Sequence, residues 1–413
     1  MPTIPESALP NLHRYKYGGV DKSLTSRYIL TPFWNNLVKI FPLWIAPNVI
    51  TLLGLCCVFA NVATLFYYAP DLGPCPNWVY LTFAAGLFAY QSLDAIDGKQ
   101  ARRTGMSGPL GELFDHGCDA LNTTLGVLTW ASATYLGQSW WTVASLFASL
   151  SNFYLSTWEE YHTGILYLGY FSGPVEGVLM LVGVHLISGI FGPAFWTLRV
   201  EEVFGNLVDW MSSPALDLVG SLQLNHILIV IGAFTLLINA VNAIYNVIHV
   251  KLYPTDFSHP DRSIAKALLG LVPYIYMSAT VYIWMRLWPS IVHVHLLTFM
   301  LAIGLVFGHQ VGLMITAHVA KLEFPWWNNT VNLILATGCT LAFLDTSPNS
   351  PVNFDPNAIV NTFLLISAIQ YASFIYSVIN EICNFLGIRC FVVKKKITTE
   401  HSTNLEAPKP NST

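Results

Sequence analysis

The amino-acid sequence predicts an all-α protein that crosses a membrane many times. Of its 413 residues, 54% are hydrophobic and only 10% are charged, and the mean hydropathy is +0.52. Soluble domains carry about 25% charged residues. Apolar runs of roughly 20 residues, the length that an α-helix needs to cross a bilayer, recur along the whole chain. These observations predict a polytopic helical membrane protein.

The lengths of the apolar runs, and the prolines, glycines and charges that interrupt them, divide the chain into about ten transmembrane helices. We expect the first six helices to form the principal bundle and the last four to lie at its periphery. The predicted spans are approximately 47–68, 78–97, 119–137, 140–158, 174–194, 226–250, 266–288, 291–318, 330–345 and 357–386.

The distribution of positive charge predicts the orientation of these helices, because Lys and Arg collect on the cytoplasmic side of membrane proteins. With both termini in the cytosol, ten spans place 17 of the 19 Lys and Arg residues on that side, and only Arg199 and Arg286 fall outside it. Adding or removing one span would move many of these Lys and Arg residues to the opposite side of the membrane. The charge pattern therefore favours ten spans with both termini cytosolic.

A polar, basic segment precedes the first predicted span, and we expect it to contain no cleavable signal sequence. Between Leu24 and Phe41, apolar residues recur at helical spacing, with Arg27 and Lys39 among them. This pattern predicts a short amphipathic helix. The helix either lies in the interface of the cytosolic leaflet or packs as a surface helix on the bundle.

Four aspartates stand in otherwise apolar sequence. Asp94 and Asp97 are three residues apart near the cytosolic end of the second span, and Asp115 and Asp119 are four residues apart at the start of the third. Each pair shares one helical face. Acids within a membrane are costly unless a partner lies among them, and Mg²⁺ or Mn²⁺ prefers carboxylate oxygens. The spacing predicts two divalent metals about 4 Å apart, an arrangement that clamps both oxygens of a phosphoryl displacement.

Small and cationic residues accompany the aspartates. Gly98 and Gly111 leave room for a phosphate or nucleotide to approach the backbone, and Arg102 can make charge-assisted hydrogen bonds to phosphate. His116, beside Asp115, is a candidate proton acceptor. A single pair of aspartates at a helix end is often solvated or caps the helix. Four in register with two glycines and an arginine favour a functional site.

The complete spacing resembles a known signature. The CDP-alcohol phosphotransferase family signature is matched without departure by Asp94-x2-Asp97-Gly98-x2-Ala101-Arg102-x8-Gly111-x3-Asp115-x3-Asp119. Members of that family move a phospho-alcohol from a cytidine diphosphate onto a hydroxyl acceptor. The resemblance implies that the four aspartates form a dinuclear metal site, with Asp119 also a candidate catalytic base.

Three further segments narrow the resemblance to the eukaryotic, and especially the fungal, choline and ethanolamine phosphotransferases. They are Leu113–Asp119, Ser156–Gly164 and Gly173–Gly177. Trp44–Thr51 is similar to the Pro-Asn-x-x-Thr entry to the first helix in the wider family, near the bound cytidine. The resemblance implies that CDP-choline or CDP-ethanolamine is the donor and diacylglycerol the acceptor. The products would be phosphatidylcholine or phosphatidylethanolamine and CMP.

The resemblance also implies roles for individual residues. His116 is the first choice for the base that takes the diacylglycerol proton, with Glu176 orienting it or sharing the proton, and Asp119 is the rival. Residues expected to contact the nucleotide or diphosphate are Asn48, Thr51, Gly98, Ala101, Arg102 and Gly111.

Aromatic side chains are candidates for the choline or ethanolamine head group, because a quaternary ammonium binds aromatic faces. Trp158 and Tyr161 lie near the cytosolic end of their span. The alternative is that both belong to the aromatic belt found at membrane interfaces.

The predicted domains are a cytosolic N-terminal segment, the catalytic bundle, peripheral transmembrane helices and a disordered cytosolic tail, at residues 1–46, 47–250, 251–390 and 391–413. The family resemblance implies a homodimer in endoplasmic reticulum or Golgi membranes, surrounded by membrane lipids, with the site facing the cytosol. No nucleic-acid partner is expected.

Two other functions are weighed. An enzyme that uses CDP-diacylglycerol and a soluble alcohol would share the acidic signature, but such members are shorter, with about six spans by resemblance. A cation transporter could line its path with membrane acids, but those acids would lie near mid-span in several helices. Here they cluster at one predicted edge with Arg102.

Overall fold

The computed structural model describes residues 3–21, 23–168, 174–209, 220–255, 259–346 and 353–393. Residues from 394 onward, which hold most of the predicted disordered tail, lie outside the described residues, as does Gly173.

The described chain is almost entirely helical. The helices of the first half are α1 (Thr31–Leu37), α2 (Pro47–Tyr68), α3 (Asn77–Thr104), α4 (Pro109–Ala133), α5 (Trp140–Thr163), α6 (Pro174–Phe191) and α7 (Val200–Asp209). Those of the second half are α8 (Leu224–Leu252), α9 (Ile264–Leu269), α10 (Val272–Leu287), α11 (Ser290–His293), α12 (Leu296–Ala320), α13 (Asn329–Thr346) and α14 (Pro356–Leu386). Strand β1 (Gly19–Asp21) pairs in parallel with β2 (Leu166–Leu168).

Every predicted span coincides with a helix or a pair of helices. The predicted span 266–288 is divided into α9 and α10, because Pro273 at the start of α10 cannot donate a backbone hydrogen bond. Among the described residues, five stretches are long and apolar enough to cross a membrane: Pro47–Tyr68, Leu224–Leu252, Ile264–Leu287, Leu296–Ala320 and Pro356–Leu386. The structure confirms the prediction of an all-α, polytopic membrane protein.

Helix α12 lies at the centre of the bundle, although it belongs to the predicted peripheral part. It packs on α4, α5 and α14. In an apolar stretch of 18 residues, 67% of the residues of α12 are buried, compared with 22% in α14 and 6% in α8. A helix that is apolar all round is buried either in protein or in lipid, and the sequence does not distinguish the two. The division of the chain into catalytic and peripheral parts therefore needs this exception.

A glycine permits the close approach of α12 to α4. A Cβ atom added at Gly304 would lie 2.7 Å from Oγ1 of Thr124 and 2.8 Å from its Cβ. Because the branched Thr124 side chain has few rotamers, Gly304→Ala is expected to lower stability by about 1–3 kcal/mol through overpacking. Thermal unfolding in detergent measures this. The control is Gly232→Ala, where an added Cβ meets nothing within 4 Å, and an equal loss there would contradict the packing argument.

The amphipathic segment before α2 combines both predicted arrangements. One side packs on the bundle, where Leu30, Trp34 and Val38 join a buried cluster with Ile50 and Ile96. The opposite surface is also apolar and is exposed, at Tyr28, Ile29, Phe33, Ile40, Leu43 and Trp44. An apolar surface of this kind on a helix beside a membrane bundle is suited to the lipid interface.

The end of α3 anchors this segment. The side-chain amide of Gln100 donates to the carbonyl oxygens of Pro42 and Ile45, at 2.9 and 3.0 Å. Arg103 donates to the carbonyl oxygens of Val38 and Phe41. These bonds fix the chain that leads into α2 against the helix that carries Asp94 and Asp97.

Candidate active site

Three of the four aspartates predicted to bind metal meet between α3 and α4. One carboxylate oxygen from each of Asp94, Asp97 and Asp115 lies within 4.8 Å of the others. A tight turn explains the meeting: α3 ends at Thr104, the next residue is Gly105, whose φ of 70° few other residues adopt, and α4 begins at Pro109. The four intervening residues fold the two helices into a hairpin that faces their acidic ends toward each other.

Two of these carboxylates have oxygens without a protein partner. Oδ1 of Asp94 and Oδ1 of Asp115 are buried and make no hydrogen bond. Burying an ionised carboxylate without a partner is costly, so buried charges pair with an opposite charge or coordinate a metal. Carboxylate oxygens are the hard ligands that Mg²⁺ and Mn²⁺ prefer. The three residues therefore fit a divalent metal.

Two hydroxyl groups support the aspartates, one at Asp97 of the cluster and one at Asp119, the fourth aspartate. The Thr51 hydroxyl of α2 donates to Asp97, and the Tyr90 hydroxyl of α3 donates to Asp119. Thr51, predicted to contact the nucleotide, is thus placed behind a candidate metal ligand. Hydrogen bonds of this kind fix the orientation of a ligating carboxylate.

Open space adjoins the acidic cluster. An added Cβ at Gly111 would meet nothing within 4 Å, and one at Gly98 would meet only Nη1 of Arg102, at 3.9 Å. Arg102 is exposed and Ala101 is half-buried. There is therefore space beside the backbone at both glycines, and the Arg102 guanidinium group lies near Gly98.

His116 is buried, and its partner is not the predicted one. Its Nδ1 lies 3.7 Å from Oε2 of Glu160 on α5. Glu176 on α6 instead accepts a hydrogen bond from the hydroxyl of Ser23, and its other oxygen is buried without a partner. The structure therefore pairs His116 with Glu160. The sequence offered little signal for this contact, because 44 residues separate the two.

Asn48 at the start of α2 is held by the end of the described chain. Its side-chain amide donates to the carbonyl oxygen of Cys390 at 3.1 Å and contacts the Cys390 sulfur at 3.4 Å. Burial raises the pKa of the Cys390 thiol to about 11, so the thiol is neutral at pH 7. Phe391 packs edge-on against Phe114, beside Asp115. The segment after α14 thus lies over the residue predicted to bind the nucleotide.

The two aromatic residues predicted for the head group serve structural contacts. Trp158 is fully buried and donates from Nε1 to the carbonyl oxygen of Ala267 at 2.9 Å. Tyr161 donates to the carbonyl oxygen of Leu322 at 2.8 Å and stacks on His259. Both side chains hold α5 against neighbouring segments, which their positions in the sequence did not reveal.

The structure contains a second cluster that the sequence does not predict. Glu112, Glu160 and His318 come from α4, α5 and α12, and one ligand atom from each lies within 4.8 Å of the others. The spacing in the sequence does place Glu112 near the site, because Glu112 lies one helical turn before Asp115 and His116. No pattern connects it with Glu160 or His318, which are far apart in the sequence.

Known proteins resemble this chain over most of its length. The family model described as CDP-alcohol phosphatidyltransferase matches residues 44–200. Cholinephosphotransferase 1 of Saccharomyces cerevisiae is 38% identical over 95% of this chain and 98% of its own. The chain belongs to the CDP-alcohol phosphatidyltransferase family.

Other members have similar names. Choline/ethanolaminephosphotransferase 1 of Saccharomyces cerevisiae is 42% identical over 79% of this chain and 81% of its own, and Choline/ethanolaminephosphotransferase 2 of Arabidopsis thaliana is 36% identical over 93% and 97%. The resemblance inferred from the motifs is confirmed. The matched residues 44–200 include the hairpin of α3 and α4, both acidic clusters except for His318, and Glu176.

Proposed function

We propose that this protein transfers phosphocholine, phosphoethanolamine or both from CDP-choline or CDP-ethanolamine to diacylglycerol. The products are phosphatidylcholine or phosphatidylethanolamine and CMP. The observation that carries the proposal is the meeting of Asp94, Asp97 and Asp115, in a chain similar over nearly its whole length to a protein named cholinephosphotransferase.

Divalent metal is the cofactor that the aspartates fit, and we assign two ions, Mg²⁺ or Mn²⁺, to each site. Asp94, Asp97, Asp115 and Asp119 would hold them. The metals would neutralise the charge that grows on the leaving CMP. Thr51 and Tyr90 orient two of the four carboxylates through the hydrogen bonds that they donate.

The acceptor hydroxyl must lose its proton as its oxygen bonds to the phosphorus and the bond from phosphorus to CMP breaks. His116 is the base that we assign. With Nδ1 turned toward Glu160, Nε2 is the nitrogen that would accept the proton. Asp119 remains the rival, although a carboxylate that binds metal is a weak base. Glu176 would act on His116 only if the contact between Ser23 and Glu176 is released in the donor complex.

Recognition of the nucleotide and diphosphate would involve residues four or five positions from the aspartates along the same helices, together with Asn48. Arg102 would bind the diphosphate through charge-assisted hydrogen bonds, and Gly98, Ala101 and Gly111 would allow the donor to approach the backbone. Asn48 would contact the cytidine. Because its amide is bonded to Cys390, the segment after α14 would move when Asn48 takes that role.

The cellular setting is likewise proposed. Diacylglycerol would enter from the bilayer into the catalytic bundle of residues 47–250, while residues 251–390 apart from α12 would be peripheral. The site would face the cytosol from endoplasmic reticulum or Golgi membranes, and two copies would form a homodimer. The charge distribution supports the cytosolic orientation.

Reconstituted activity tests the proposed function. Purified protein in liposomes that contain diacylglycerol is given Mg²⁺ or Mn²⁺ and either CDP-choline or CDP-ethanolamine, and CMP and phospholipid are both quantified. Product with one or both donors, lost on addition of EDTA, is expected. Folded protein that yields no product from either donor would contradict the proposal and favour the CDP-diacylglycerol reaction, which the same liposome assay can test.

Thr51→Val separates two roles of Thr51. If its hydroxyl orients Asp97 as a metal ligand, the metal concentration for half-maximal activity rises about 10–100-fold, while the KM for the CDP-alcohol at saturating metal changes little. If Thr51 contacts the nucleotide, the KM rises instead. Metal titrations of CMP release measure both. Thr64→Val is the control, because the Thr64 hydroxyl on the same helix is exposed and bonds only within the helix, to Ala60.

A further inference from the structure

Two buried carboxylates converge beside the proposed reaction centre. Glu112, Glu160 and His318 are 7%, 3% and 8% exposed. Nε2 of His318 lies 3.6 Å from Oε1 of Glu112, which is longer than a hydrogen bond. Both carboxylate oxygens of Glu112 are buried and make no hydrogen bond. We call these three side chains the glutamate pocket.

The protein provides little positive charge to the glutamate pocket. Lys321, whose charge acts on Glu112, is exposed at the end of α12. His116 contacts Glu160 and His318 contacts Glu112 through imidazole nitrogens, at 3.7 and 3.6 Å. Among the described residues, no Lys or Arg side chain forms an ion pair with either carboxylate. A buried pair of this kind is suited to a cationic ligand.

The position of the pocket limits which cation it takes. Glu112 lies one helical turn, about 5.4 Å along the axis, before Asp115 and His116 on α4. Glu160 contacts His116 directly. A ligand that places its phosphorus among the aspartates thus reaches the pocket with a short chain. In a phospho-alcohol donor, two carbons join the phosphate oxygen to the ammonium nitrogen, so the ammonium group lies only a few atoms from the phosphorus.

Aromatic residues of the N-terminal segment border the same region. The Tyr15 ring packs edge-on against His318, with its hydroxyl buried and without a hydrogen bond. Tyr17 is 59% exposed, and the charges of Glu160 and Asp115 act on its phenol. Aromatic faces bind ammonium groups through cation–π attraction.

We propose that the glutamate pocket binds the positively charged head group of the CDP-alcohol donor, in place of Trp158 and Tyr161. This inference rests on the proposed function and adds residues that determine which donors bind. Glu112 and Glu160 attract the ammonium group, and Tyr15 and Tyr17 provide the aromatic surface. A donor without a positive head group would leave both carboxylates unpaired and would bind weakly.

Glu112→Gln tests the inference, because it removes one charge at nearly constant shape, and Glu160 rather than Glu112 forms the contact of 3.7 Å with His116. The dissociation constants of CDP-choline, CDP-ethanolamine and CDP are measured by calorimetry on purified protein. Loss of an ionic contact is expected to weaken the binding of a cationic donor at least about tenfold. CDP, which has no head group, should bind within about twofold of its affinity for the wild type. Glu159→Gln is the matched control, because Glu159 is also buried but bonds to Asn246.

Each other outcome overturns the inference. Unchanged donor affinity in Glu112→Gln would show that the head group binds elsewhere, and parallel weakening of CDP would show a structural defect. Loss of one tightly bound metal per chain, measured by elemental analysis, would show an inorganic cation site. These measurements are independent of turnover. A wild type that binds donor but makes no phospholipid contradicts the proposed function and leaves the binding comparison intact.

Discussion

Asp115→Asn is expected to lower CMP release by on the order of a thousandfold, the largest effect that we expect from one substitution. Asp115 supplies a carboxylate oxygen to the cluster with Asp94 and Asp97. Its Oδ1 makes no hydrogen bond with the protein, so the nearly isosteric amide disturbs little structure. The substitution removes a negative charge where metal would be held, and activity should fall without a matching loss of stability.

The test of Asp115→Asn measures its activity, the dependence of that activity on metal concentration, and its thermal stability. CMP release is followed at rising Mn²⁺, and thermal unfolding is compared with that of the wild type. The matched control is Asp71→Asn: Asp71 lies in the turn after α2 and bonds to the backbone of Gly73. A helix of 22 residues, about 33 Å long, separates that turn from the start of α2. Near-normal turnover by Asp115→Asn with a folded protein would remove the aspartate cluster from the mechanism.

The helices could be predicted because each depends on local signals. Apolar runs, together with prolines that begin helices and glycines that end them, place α2 within a residue of its predicted bounds. The packing order could not be predicted, because every transmembrane helix is apolar. Thus α12 was expected at the periphery, although Gly304 allows it to approach α4 closely.

The candidate site, like the fold, has features that local sequence patterns predict and features that they do not. Asp94, Asp97 and Asp115 could be found because their spacing sets their helical faces and a short turn joins their helices. Contacts between distant segments leave no such pattern. The pairing of His116 with Glu160 joins α4 to α5, and that of Asn48 with Cys390 joins residues 342 positions apart. The aromatic ring of Trp158 predicts a site for the head group, but the indole Nε1 donates a hydrogen bond to the carbonyl oxygen of Ala267 and the side chain is part of the core.

His116→Ala is expected to retain the binding of CDP-alcohol while losing about 100–10,000-fold in turnover, the usual contribution of a general base. The ring is buried beside Glu160, and its removal leaves the aspartates in place. Donor affinity and kcat are measured separately. His309→Ala is the control, since His309 is also buried but stacks on Phe374. Unimpaired turnover by His116→Ala would make Asp119 the leading candidate for the base.

The residue that orients His116 can be identified with two further variants. If the contact seen in the structure persists in the donor complex, Glu160→Gln lowers kcat at saturating donor, and combining it with His116→Ala causes no further loss, because residues that act as a unit are not additive. Glu176→Gln would then affect kcat less, since its carboxylate accepts a hydrogen bond from Ser23. A larger loss of kcat in Glu176→Gln than in Glu160→Gln would show that donor binding releases Glu176 from Ser23 and brings it to His116. Head-group binding does not confound the comparison, because a weaker hold on the donor raises KM, whereas a disoriented base lowers kcat.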